Sequence, residues 1–194
     1  MILPIVGYGS PVLRKTATAI DANYLELPNL LDNMFETMDN AYGVGLAAPQ
    51  IGLSIRLFIV DTTPFSNNED LSEAERIQLN GFKKVFINAR ITKEEGEEWT
   101  FNEGCLSIPN VREDVSRSSI VHITYQDAQF NTYHEVYDGL IARVIQHEYD
   151  HIEGVLFTDK ISTFKKAFNK KKLQNIMEGK VKADYKMKFA SIKK

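Results

Sequence analysis

Between Gln146 and Gly154 the chain reads QHEYDHIEG, which sets His147, Glu148 and His151 in an H-E-x-x-H arrangement. Side chains four residues apart stand one above the other on a helix, so two imidazole nitrogens can converge on a single metal ion. At about 100° per residue, Glu148 falls among Leu140, Ile141, Val144 and Ile152, with the two histidines at the edge of that apolar face. A carboxylate turned toward hydrocarbon is costly unless a cation or a dedicated hydrogen-bond network compensates it. The alternative is a pair of core histidines beside a salt-bridged glutamate.

Two imidazoles leave a metal short of a third protein ligand and of an open position for chemistry. Cys105 is the only thiol in the chain and sits in the run Glu103-Gly104-Cys105-Leu106-Ser107. Its glycine allows close backbone approach, and its polar neighbours differ from the apolar setting of an inert free cysteine. Other third ligands fail. The extended pattern H-E-x-x-H-x-x-G-x-x-H would put histidine where the chain has Phe157. Glu153 lies too close along the same helix to share the site, and Glu178 lies in a lysine-rich tail. A third segment, Gly43-Val44-Gly45-Leu46-Ala47-Ala48-Pro49-Gln50, surrounds one side-chain amide with small residues. It lacks G-x-G-x-x-G and the lysine of a phosphate loop, so nucleotide binding is a weak reading.

These segments need elements to position them. Apolar residues at Leu27, Leu30, Leu31, Met34, Phe35, Met38, Ala41 and Tyr42 form one helical stripe, which Gly43 is suited to end. Branched and aromatic residues mark strands at 56–61, 84–92, 120–126 and 132–137, read as mainly antiparallel. Residues 62–81 form a polar excursion in which Ser72 and Glu75 offer a capping box ahead of an Asn80-Gly81 turn. Asp138 is placed to cap the motif helix, expected from Gly139 to about Ile152, with Gly154 as its stop.

The chain has 194 residues, 43% of them hydrophobic and 25% charged, which suits one folded domain and excludes wholesale disorder or a collagen-like polymer. No apolar run approaches the length of a membrane span, no Asn-x-Ser/Thr acceptor occurs, and one cysteine cannot make an internal disulfide. The expected setting is the cytoplasm, with no membrane partner. The net charge of −3 hides an asymmetry: residues 160–194 carry 12 of the 23 Lys+Arg and only two of the 26 acids. An acidic body disfavours DNA, while the basic tail offers a patch to a polyanion or simply a solvated helix face.

GVGLAAPQ at 43–50, EGCLS at 103–107 and QHEYDH at 146–151 together resemble the three motifs of the peptide deformylase family, in the family's order. The resemblance runs from about Leu3 to Lys160. It implies an α+β fold of antiparallel sheets around a central helix carrying HExxH, followed here by a basic C-terminal helix; the expected division is a catalytic domain at 1–164 and a basic tail at 165–194. It implies removal of the formyl group from the N-terminal formyl-methionine of nascent polypeptides. Cys105, His147 and His151 would hold one divalent ion, Fe²⁺ by family preference, though the donor set suits Zn²⁺, Ni²⁺ or Co²⁺ as well. Glu148 would be general base and acid, and the Gln50 amide and Leu106 N–H would stabilise the oxyanion. Val44 and Gly45 would pair with the substrate backbone, and Leu140 and Val144 would wall the methionine pocket. Glu103 would orient a ligand, paired with Arg112 or Arg117. Ribosomal RNA becomes a candidate partner of the tail. Two other readings remain open on the residues alone: an HExxH metallopeptidase cutting internal bonds, and a non-catalytic ribosome-associated metal module.

Overall fold

The computed structural model describes residues 1–190, so the last four residues of the basic tail lie outside the described part. After a short strand β1 (Ile5–Val6), the apolar stripe forms helix α1 (Leu27–Asn40), burying Leu27, Leu30, Leu31, Met34 and Met38. The helix ends earlier than its periodicity suggests. Tyr42, not Gly43, takes the left-handed φ of 55°, its ring exposed, while the Gly43 N–H returns to the Met38 carbonyl at 2.9 Å. Gly43 is needed for space instead: a Cβ there would stand 2.9 Å from Leu106 Cδ1.

Strands β2 (Gly45–Ala47), β3 (Leu57–Asp61), β4 (Lys83–Cys105), β5 (Ile108–Gln126) and β6 (Thr132–Asp138) form one antiparallel sheet in sequence order. Alternation along β3 sends Leu57 and Ile59 to the α1 face and Phe58 and Val60 to the other. That other face is covered by α3 (Gly139–Ile152) through Ile141, Ala142, Val144, Ile145 and Ile152. The motif helix is therefore the core of the α+β architecture. Gly154 stops it at φ 74°, where a Cβ would meet the Arg14 carbonyl at 2.9 Å. Asp138 does not cap it; its carboxylate accepts instead from Gln78 Nε2 at 3.0 Å.

Strands β4 and β5 run well beyond the lengths read from sequence. The run Lys93–Glu98 is charged and looks like a loop, yet it pairs across to β5 as an exposed ribbon. Cross-strand contacts such as His122 with Glu95 make that solvent-exposed pairing possible. Register shifts at Ile91/Lys93 and Glu95/Glu98, with Gly96 at φ 82°, curve the ribbon so that its far end reaches α3.

In the 62–81 excursion, α2 (Glu73–Leu79) carries the expected capping box, with Ser72 Oγ accepting from the Glu75 N–H. The excursion is not wholly solvated: Leu79 is buried, and Phe65 and Leu71 pack on the main core. Beyond α3 come a single turn, α4 (Phe157–Lys160), and α5 (Thr163–Met177), which buries Asn169, Leu173 and Ile176 while exposing Phe164, Phe168 and most of its lysines. Strand β7 (Met187–Lys188) then pairs in parallel with β1 as a separate two-stranded sheet.

Candidate metal centre

Cys105 ends β4, and His147 and His151 sit one turn apart on α3, so the ribbon's far end and the core helix bring the three together. Their donor atoms lie within 4.8 Å of one another, with Cys105 Sγ 3.2 Å from His151 Nε2. A thiolate and two imidazoles meet the requirement of a three-ligand catalytic site with a further position for water. One of the two rings is held by a hydrogen bond at its far nitrogen, whereas His151 Nδ1 has no partner among the described residues. His147 Nδ1 is bound to Glu103 Oε2 at 2.9 Å, which fixes the ring and leaves Nε2 for the site. His151 is buried, with its Nε2 turned to Cys105 Sγ. Phe157, the residue standing where another metal family has histidine, stacks on His147 with ring centroids 6.1 Å apart.

Glu103 anchors this side of the site. It receives Arg117 Nε at 2.7 Å and Nη2 at 3.0 Å, and Arg143 Nη1 at 3.0 Å, besides His147. Burial alone would raise its pKa, but His147 and Arg117 hold the carboxyl well below the usual range. Arg117 also reaches Asp150 at 2.7 Å. Arg112, the other pairing considered, turns away to Asn102. Arg143, missed in the sequence, is buried in the cluster with its guanidinium 4.4 Å from the Trp99 ring centroid. The available signal was its spacing: it stands four residues before His147 on the same helix face.

Glu148 is 4% exposed, and its Oε2 has no hydrogen-bond partner among the described residues. Burial pushes its pKa up to about 7. Gly45 lies directly against it, since a Cβ there would stand 2.4 Å from Glu148 Oε1. Gln50, in a 3₁₀ turn at Ala48–Ile51, is also buried. Its Oε1 accepts from the Ala47 N–H at 2.7 Å, which turns the Nε2 amide toward Cys105 Sγ at 3.5 Å. An orphaned buried carboxylate beside one sulfur and two imidazoles that converge is what a cation with a water would complete.

A cleft of about 480 Å³ opens over these groups, lined among others by Val44, Gly45, Gln50, Leu106, Val144 and Glu148. Leu140 lies outside this lining and packs with the core. Phe65 from the 62–81 excursion, Phe101 and Tyr185 also face the cleft. Strand β2 borders the sheet with one edge open. Because Val44 O already accepts from the Asp61 N–H at 2.9 Å, alternation turns the Gly45 N–H and carbonyl toward that open edge. No helix among the described residues is long and apolar enough to cross a membrane.

The family model for polypeptide deformylase matches residues 2–167. A peptide deformylase of Flavobacterium johnsoniae is 66% identical over 194 residues, covering all of this chain and 99% of its own length. One of Christiangramia forsetii is 57% identical, again over all of this chain and 99% of its own length. Among solved structures, a peptide deformylase from Legionella pneumophila superposes with TM-score 0.77 at 33% identity, covering 93% of this chain and 98% of its own. With the three motifs gathered around one buried, cation-ready cluster, the chain belongs to the peptide deformylase family.

Proposed function

We propose that this chain hydrolyses the N-terminal formyl group of nascent formyl-methionyl polypeptides and releases formate, using a divalent ion held by Cys105, His147 and His151. The observation that carries this reading is the unpartnered Glu148 carboxylate, buried beside those ligands and against Gly45. When bound, such an ion supplies a water whose pKa falls from about 15.7 toward 7, making hydroxide available at neutral pH. Glu148, buried with no hydrogen-bond partner at Oε2 among the described residues, is placed to accept the proton of the attacking water and to deliver it to the leaving amine. As the formyl oxygen gains charge, the Gln50 amide and the Leu106 N–H donate to it. Gln50 comes to this task already oriented, because its own oxygen is held by the Ala47 N–H.

The peptide adds as a strand at the Gly45 edge of β2, a mode that reads backbone and tolerates many side chains. Val144, together with Phe101 and Arg143, walls the pocket for the methionine side chain; Leu140 supports it from the core. Fe²⁺ is the ion we assign, and the cytoplasm the compartment. Residues 165–194 act as a basic extension toward ribosomal RNA, with Lys170, Lys171 and Lys172 exposed on α5. Replacing these three by glutamate is expected to weaken ribosome binding in a salt-dependent way; parental, salt-insensitive binding would remove that partner.

The reaction is tested by incubating the ion-loaded chain with a formyl-methionyl tripeptide and with an unformylated protein, and following both by mass spectrometry. Loss of the formyl group alone, with internal bonds intact, is expected. Cleavage of internal bonds would favour a peptidase, and metal binding without turnover a silent module.

A further inference from the structure

The two-residue turn Leu106–Ser107 joins β4 to β5 and carries the ligand Cys105 at its start. Both of its carbonyls are taken, and by opposite ends of the chain. The Tyr8 N–H donates to Ser107 O at 2.8 Å, and the Tyr185 hydroxyl donates to Leu106 O at 2.7 Å. Those two ends are bound to each other. Strands β1 and β7 pair through the Ile5 N–H to Lys186 O and the Gly7 N–H to Lys188 O, each 2.9 Å. Phe189 closes over Gly7, where a Cβ would lie 2.8 Å from its ring. Asn110, just beyond the turn at φ 62°, donates Nδ2 to Lys182 O at 3.0 Å and so fixes the approach to Tyr185.

A two-residue turn has few contacts of its own to restrain its peptide planes, whereas an oxyanion donor works only if its direction is set before charge develops. We propose that the paired termini form a clasp on this turn, and that Tyr185 is a positioning residue: by holding the Leu106 carbonyl it fixes the Leu106–Ser107 peptide plane, and through the Leu106 backbone angles it limits rotation of the adjoining Cys105–Leu106 plane, whose N–H meets the developing oxyanion. The kinetic part of this inference rests on the deformylase reading; the clasp itself does not. Tyr185 suits the task because its half-buried phenol donates to the Leu106 carbonyl at 2.7 Å. The segment 182–185 also lines the cleft, so the basic tail contributes to the site as well as to surface charge.

Tyr185→Phe keeps the ring and removes only the donor. Its expected effect is a kcat about tenfold lower, equivalent to about 1.4 kcal/mol, with KM within about twofold of the parent. Amide hydrogen exchange at residues 105–108 should quicken while protection of α3 and the central sheet stays parental. Gly7→Ala, which pushes Phe189 off the β1–β7 pair without touching the cleft, should move the same two readouts in the same direction. Parental kcat and parental exchange in Tyr185→Phe would overturn the clasp. So would a fall in kcat with no change at 105–108, or faster exchange spread over the whole chain. If the parent itself releases no formate, the deformylase reading fails, and exchange at 105–108 alone still decides whether the clasp exists.

Discussion

On the α3 side of the cleft, one buried carboxylate, Glu103, is shared by two guanidinium groups and a histidine, and Arg117 passes the network on to Asp150. On the turn side, Leu106 and Ser107 are held by one backbone N–H and one phenol, both neutral and both from chain ends. The first wall fixes His147 with charge in a low-dielectric setting, where a single removed partner leaves the others buried and unpaired. The second fixes its groups with hydrogen bonds that each contribute modestly and can be lost one at a time. Damage to the α3 wall should therefore appear first as lost stability, and damage to the turn wall as lost rate in a folded protein.

The largest expected effect is that of Glu103→Gln, which strands Arg117 and Arg143. Chemical denaturation should show a loss of about 3–5 kcal/mol, and metal affinity should fall about 10–100-fold as His147 loses its orienting partner. A near-parental denaturation midpoint would mean that charge does not hold this wall. The pH dependence sharpens the same point. The Glu103 carboxyl has a lower pKa folded than its ordinary value of 4.5, so its stabilisation is fully present above that value and is lost as pH falls toward the folded value. His147, whose pKa this carboxylate helps to raise, adds to the stability gap between parent and Glu103→Gln as pH falls toward 6.5, and the gap should then shrink below about pH 4.5 as the carboxylate protonates. A gap that keeps growing below about pH 4.5 would contradict the sign. Next in size, Gln50→Ala removes the amide proposed as an oxyanion donor and should slow turnover about 100- to 1000-fold with metal content unchanged. Turnover that stays parental would take Gln50 out of the mechanism. Smallest is the roughly tenfold effect of Tyr185→Phe, on rate and local exchange, without a stability change comparable to that of Glu103→Gln.

The two walls also differ in how much of them was legible in the sequence. The α3 wall is local: H-E-x-x-H lies within one helix whose apolar period is intact, and Glu103 stands two residues from Cys105. Even there, the choice between Arg112 and Arg117 needed the register of β5, which turns Arg117 toward Glu103 and leaves Arg112 with Asn102. The turn wall depends on contacts across nearly the whole chain length. Tyr185 lies in a segment whose visible feature is lysine, and β7 is two residues long, a strand only because β1 is there to pair with it. The charged stretch of β4 was hidden for a related reason, since an exposed ribbon carries no apolar alternation. Asp138 had the right residue type for a cap but was drawn to Gln78 of the excursion. Tyr42 displaced Gly43 as the left-handed residue because the glycine's place beside Leu106 answers a need for space.

The most direct test of the central claim is formate release from a formyl-methionyl tripeptide by anaerobically prepared, Fe²⁺-loaded protein, set beside Glu148→Ala with its metal content measured. Release by the parent, falling by at least about 100-fold in a variant that retains its ion, is the expected result. Equal release by the two proteins, or none from a parent verified to hold its metal, would contradict the role given to the buried Glu148 carboxylate.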